Sequence, residues 1–179
     1  MDASKEVTIG QLQAQKDFVK KITNKMQVTS QGPRAAVLAF SDIPLTLVDM
    51  GRHSTLEDFH SKVDQARNLG GIRRVATALE TAANKFTAKG KPGHRVVLLL
   101  TTGNSSDTVD RLRQAKKSLQ NIGARTYVIV ISSKPATTNF MPVVDSYKRI
   151  FVASADFLSH LLYPLARHIS ETKGNLPIL

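Results

Sequence analysis

Two uninterrupted apolar runs, VVLLL at 96–100 and YVIVI at 127–131, constrain this chain more than any other feature. A strand with one wet face alternates apolar and polar residues. A strand apolar at every position must be covered on both faces, as an interior strand of a parallel sheet is by helices above and below. The neighbouring segments supply that cover. Val75, Ala78, Leu79, Ala82, Ala83 and Phe86 form a helical stripe before the first run. Val109, Leu112, Ala115, Leu119 and Ile122 form another between the runs, ending at Gly123, where a left-handed residue stops the helix. Asp107 is the expected N-cap of that second helix. Strand and helix in alternation predict an α/β fold with a mostly parallel central sheet and helices on both faces.

The flanking segments extend the pattern. Leu12, Phe18, Val19, Ile22 and Met26 predict a helix over 9–26 whose outer face carries Lys16, Lys20, Lys21 and Lys25. AAVLAF (35–40) reads as a strand and PLTLV (44–48) as a second, which Pro44 confines to a sheet edge because proline cannot donate to an interior ladder. A helical stretch follows over 55–67. Beyond the second apolar run come the loop SSKPATT, a short helical piece near 139–145, the strand RIFVA (149–153) and a closing helix. In that helix Phe157, Leu158, Leu161, Leu162, Leu165 and Ile169 are expected to face inward, and Pro164 to kink or divide it.

Composition removes several classes of function. A length of 179 residues fits one domain, and 41% apolar against 22% charged residues is too hydrophobic for a disordered tail. The apolar runs fall far short of the roughly 18 residues of a membrane span, so membrane insertion is not expected. Without cysteine there is no disulfide framework, thiolate zinc site or cysteine nucleophile. The opening MDASKEVTIG has neither the basic nor the apolar part of a secretory signal. The five histidines are scattered, with no pair at zinc-ligand spacing on a common helical face. No GxGxxG follows a strand, GKPGHR lacks the Walker spacing, and there is no GxSxG elbow, so no enzyme, catalytic residue or cofactor is expected.

Charge is the remaining global signal, at 25 Lys plus Arg against 14 Asp plus Glu. The clusters KDFVKKITNK, KFTAKGKPGHR and RLRQAKK supply the polyanion-binding candidates Lys16, Lys20, Lys21, Lys25, Lys85, Lys89, Lys91, Arg95, Arg111, Arg113, Lys116 and Lys117. They form either a connected patch for sulfated glycosaminoglycan or solvated helix faces pointing in different directions. Nucleic acid is not expected as a partner, since aromatic residues make up only 6% and stand mostly at core spacings.

In an open α/β sheet ligands bind at the carboxyl ends of the strands. Three segments should meet there: DASKE (2–6), LGGIRR (69–74) and LTTGNSSD (100–107). Together with DASKEVTIGQLQAQKDFVKKI, GPRAAVLAFSD and LGGIRRVATALETA, their order and spacing resemble the von Willebrand factor type A domain over nearly the whole chain, most closely the modules of collagen VI-like matrix proteins. The resemblance implies a Rossmann-like, doubly wound sheet with one antiparallel edge strand, a domain over 1–172 and a tail over 173–179. It also implies that the family's first, central strand is missing or lies upstream, since Asp2 has only Met1 before it. The apolar tail NLPIL (175–179) is a second candidate for that position.

Family members that bind a divalent ion use an Asp-x-Ser-x-Ser loop, a Thr after Gly-Gly-x and an Asp in a Thr-Asp-Gly turn. Asp2 and Ser4 match the first two of those positions. Glu6 stands at the second Ser, Arg73 at the Thr and Thr102 at the Asp. The resemblance therefore implies a degenerate, vestigial adhesion site without metal. Arg73, helped by Arg74, is expected to neutralise Asp2 or Glu6 in place of the ion, because a guanidinium is always cationic and offers only donors. The implied function is a secreted, non-enzymatic matrix module that binds collagen, another matrix protein or neighbouring modules of an array. The alternative is a glycosaminoglycan-binding or purely architectural spacer. Asn104-Ser105-Ser106 is a candidate glycosylation sequon in a loop, and an intracellular type A scaffold stays open.

Overall fold

Parallel pairing organises the second half of the chain. Strand β3 (Arg95–Thr101) pairs with β4 (Ala124–Ile131), and β4 with β5 (Ile150–Ala153), all in parallel. In the first half, β1 (Val37–Ala39) and β2 (Leu45–Val48) form an antiparallel pair, with β2 at the outer edge directly after Pro44. The computed structural model describes residues 1–29, 32–52, 55–88, 93–133 and 137–171. The expected tail over 173–179 lies outside them.

Among the described residues five α-helices pack on these sheets: α1 (Ile9–Lys25), α2 (Leu56–Asp64), α3 (Val75–Ala88), α4 (Val109–Asn121) and α5 (Leu162–Glu171). The side chains of β4 show how the two layers are divided. Tyr127, Ile129 and Ile131 face a core shared with Phe18, Val19 and Ile22 of α1, Phe59 and Val63 of α2, and Leu165 and Ile169 of α5. Val128 and Val130 face the opposite core, built with Val75, Ala76 and Leu79 of α3 and Leu112, Ala115 and Leu119 of α4. The strand is buried on both sides, which is why its sequence has no polar alternation.

Two local expectations need correction. Asp107 does not cap α4. Thr108 does, its hydroxyl accepting from Arg111 N, while Asp107 turns back to accept from Ala76 N at 2.8 Å in the first turn of α3. The other concerns Phe157 in the closing segment, which is divided as expected: Ala155–Leu161 is a 3₁₀ helix and α5 begins at Leu162. Pro164 falls in the first turn of α5, where its missing N–H has no intrahelical partner to lose. With three residues per turn, Phe157 lies about 120° from buried Leu158, and it is 59% exposed instead of facing inward.

The sheet has a gap. Among the described residues, Met1–Ala3 lie between β1 and β3 and bind alternately to either side. Asp2 N donates to Leu100 O at 3.0 Å, and Ala3 N to Phe40 O at 2.8 Å. Asp2 and Phe40 form a single parallel bridge. Below this short link lies an apolar cavity of about 300 Å³ between the facing strands.

Candidate functional site

The three loops at the carboxyl ends of the strands converge on one carboxylate. Asp2 is held in place through its backbone by Gln15 of α1, whose amide accepts from Asp2 N at 2.8 Å and donates to Asp2 O at 2.9 Å. Asn68 anchors the same loop by donating to Ser4 O and Val7 O. Neither residue was singled out from sequence. Gln15 carried a signal nonetheless, since it stands on the apolar stripe running from Leu12 through Val19 to Ile22.

The Asp2 side chain is fully buried and its oxygens are heavily engaged. Oδ1 accepts from Ser4 N at 3.1 Å and Ser4 Oγ at 2.8 Å. Oδ2 accepts from Arg73 Nε at 2.5 Å, Thr102 N at 2.9 Å and Thr102 Oγ1 at 3.0 Å. Burial alone would raise the carboxyl pKa. The Thr102 amide, the Arg73 charge and the two Ser4 donors together outweigh it, and the pKa lies below its ordinary value.

Arg73 is only 5% exposed. Besides Asp2 it reaches Glu6 Oε2 at 3.1 Å, Asn104 O at 3.1 Å and Thr102 Oγ1 at 2.9 Å. Two glycines make room for this arrangement. Gly71 has φ +67°, and a Cβ there would overlap the Asp42 carboxylate, which accepts from Ile72 N. A Cβ on Gly103 would stand 2.8 Å from an Arg73 terminal nitrogen. Arg74 is not part of the cluster: its guanidinium turns to Asp107 at 3.6 Å.

The five positions Asp2, Ser4, Glu6, Arg73 and Thr102 thus meet at one place, beneath a shallow cavity of about 290 Å³ lined also by Lys5, Ile72 and Asn104. Their donor set does not fit a divalent ion. Such an ion needs oxygen lone pairs, but those of Asp2 are taken by N–H and O–H donors, and a fixed positive charge sits against Oδ2. Among the described residues no group of three or more His, Asp or Glu is placed to hold a metal.

The structure separates the basic candidates. Lys16, Lys20, Lys21 and Lys25 lie on α1, and Arg111, Arg113, Lys116 and Lys117 on α4, in the two layers on opposite faces of the sheet. Many are paired: Lys20 with Asp64, Lys85 with Asp49, Arg111 with Glu80, Arg113 with Asp110 and Lys116 with Asp145. Lys16 donates to Asp64 O, Arg95 to Ile122 O, and Lys25 lies 4.1 Å over the Tyr163 ring. Lys21 and Lys117 are exposed, and Lys89 and Lys91 fall outside the described residues. Asn104 is exposed on the rim of the shallow cavity.

A family model for the von Willebrand factor type A domain matches residues 1–161. The chain belongs to that family. Among its curated relatives, the collagen alpha-1(XXI) chain of Xenopus laevis is 24% identical over 81% of this chain and 16% of its own length. The collagen alpha-4(VI) chain of mouse is 22% identical over 89% of this chain and 7% of its own. Mouse vitrin is 23% identical over 68% and 20%. The type A module described here therefore spans a fifth or less of these relatives. Among solved structures, proximal thread matrix protein 1 from the mussel byssus superposes with a TM-score of 0.85 at 22% identity, over 95% of this chain and 46% of that one. A form of that protein has zinc in its adhesion-site motif and gives the same score. At this identity the likeness speaks for the fold alone.

Proposed function

We propose that this type A module is a secreted, non-enzymatic adhesion or assembly unit of the extracellular matrix, binding collagen, another matrix protein or a neighbouring module without a metal ion. The module runs over 1–172. The observation that carries the reading is the Arg73 guanidinium on Asp2, at the position where ion-binding relatives would need a free carboxylate. With the cation built into the chain, no open coordination position is offered to a partner's acidic residue, so contact falls on side surfaces where apolar and Arg anchors supply most of the energy. The matrix setting is supported by the kinship with collagen chains and vitrin. A glycan on Asn104 would stand on the rim of the upper face and favour side-on contact there too.

Chelation is the direct test. Binding to immobilised collagen or to a tandem copy, and the thermal midpoint, are expected to be the same in EDTA and in millimolar Mg²⁺. A loss of either in EDTA would overturn the reading. Heparin chromatography separates it from the glycosaminoglycan alternative. With basic clusters on opposite faces and largely paired, elution is expected at or below physiological ionic strength.

A further inference from the structure

Three aromatic side chains stand in line on the outside of the segment that follows β5. Side chains three residues apart eclipse each other in a 3₁₀ helix, so Ala155–Leu161 sets Phe157 against His160, with ring centroids 5.4 Å apart. The next such step is Tyr163. Phe157 is 59% exposed and Tyr163 71%, in a chain that buries Phe18, Phe40, Phe59 and Phe140 to 2% or less. The inner side of the same segment holds this ledge in place: Leu158, with Leu161 packed against it, enters the core shared with Phe18 and Ile22 of α1. From Phe157 to Tyr163 the ledge measures about 12 Å at roughly 2 Å per residue, the length of about four residues of extended chain.

Lysines border the rings. On α1, Ala14, Phe18, Lys21 and Lys25 follow one another at three- and four-residue steps and so share the side of the helix turned towards the ledge. Lys25 lies 4.1 Å over the Tyr163 ring, and Lys21 stands one turn before it. Among the described residues neither has a carboxylate at ion-pair distance, whereas Lys20, on the side of α1 that meets α2, is held by Asp17 and Asp64. Arg167 of α5 is paired with Glu171, and Asp156 is the exposed acid next to Phe157. We propose that Phe157, His160 and Tyr163 with Lys21 and Lys25 form a docking surface for an acidic segment of a partner protein. Its carboxylates face the two lysines and its apolar side chains lie on the rings, the combination of aromatic anchors and complementary charge that gives an interface its energy and its selectivity. A second copy of the chain suits the surface less, since each copy carries a net charge of +11. Residues 172–179, TKGNLPIL, suit it less as well, because they hold a lysine and no acidic side chain. The inference rests on the reading of side-on contact above and gives that contact a place and a partner chemistry.

The test titrates the chain with a short labelled peptide of Asp and Glu around one Leu and one Phe, and follows affinity together with chemical shifts. Shifts are expected to gather at Phe157, His160, Tyr163, Lys21 and Lys25. Lys21→Glu combined with Lys25→Glu should weaken binding at least ~10-fold, and so should Ser in place of the Leu and Phe of the peptide. Tyr163→Ser acts in the same direction, and the lysine pair keeps the comparison available if that change disturbs α5. Shifts centred on α4 or on the upper face, or an affinity indifferent to the lysine pair, would overturn the proposal and leave the metal-free reading intact. Peptide binding that survives EDTA while collagen binding does not would instead overturn the metal-free reading and leave the ledge in place. Nuclear Overhauser contacts from Leu176 or Ile178 to the Phe157 or Tyr163 rings in the unliganded chain would make the tail the occupant and sink the proposal. Shifts at these residues from heparin or phosphatidylserine vesicles but not from the peptide would sink it too.

Discussion

Arg73 and Asp2 depend on each other because neither has water to fall back on. Asp2 is fully buried and Arg73 nearly so, and breaking such a pair from one side leaves an uncompensated charge in the interior. Arg73→Met is expected to lower the unfolding free energy by about 3–5 kcal/mol in urea titrations. Asp2→Asn should also destabilise, and the double variant should lose less than the sum of the two, because the second change removes the orphan left by the first. The sign of the acid response follows from the lowered Asp2 pKa. Its contribution is complete above the unfolded value near 3.8 and is lost as pH falls through the lower folded value, so Asp2→Asn should flatten the acid limb of the stability curve. Arg73 could be singled out from sequence because an obligate cation at a position that relatives give to a ligand is a contradiction in chemistry. Gln15 and Asn68 were missed because their work is done on backbone atoms of the Asp2 loop. A polar side chain serving a distant main chain leaves no periodic trace.

At the scale of elements, the helices were legible wherever their apolar stripe had the α period, and the two interior strands because burial on both faces removes alternation. Contacts that cross between elements were not. The first turn of α3 receives its carboxylate from Asp107, thirty-one residues further along the chain, in a loop that also takes Ser105 Oγ at 2.7 Å and the Arg74 guanidinium. Sequence proximity pointed Asp107 at α4 instead, because a local cap is the commoner use of an Asp ahead of a helix. Asp107→Ala is accordingly expected to cost about 1–2 kcal/mol by leaving an N-terminal donor of α3 unpaired, and amide exchange at Ala76 should quicken while the Thr108 cap of α4 keeps Arg111 protected. The reverse result, fraying of α4 with α3 intact, would contradict the placement. Phe157 was misplaced for a related reason: a 3₁₀ helix advances about 120° per residue, and the α period carried across it assigns the wrong face.

For the whole molecule the decisive feature is that, among the described residues, the backbone hydrogen bonds between β1 and the three-stranded sheet run through Met1–Ala3. That link is where a terminal charge meets a dry interior, and its pH dependence can be worked out. The Met1 amine titrates near 8.0 when unfolded and about 5 when folded, so between those values the unfolded chain holds the extra proton. Stability must then rise with pH across that interval, be complete above 8 and be lowest below 5. His60, whose pKa burial also lowers, contributes a slope of the same sign. Acetylating the Met1 nitrogen removes the first contribution and leaves the second. Urea midpoints at pH 5, 6.5 and 8 are therefore expected to converge for the free and acetylated chains at pH 8 and to separate as pH falls, with the acetylated chain more stable at pH 5. Parallel curves would mean that the amine reaches water, and that the two sheets are joined more loosely than the hydrogen bond from Met1 to Leu38 implies.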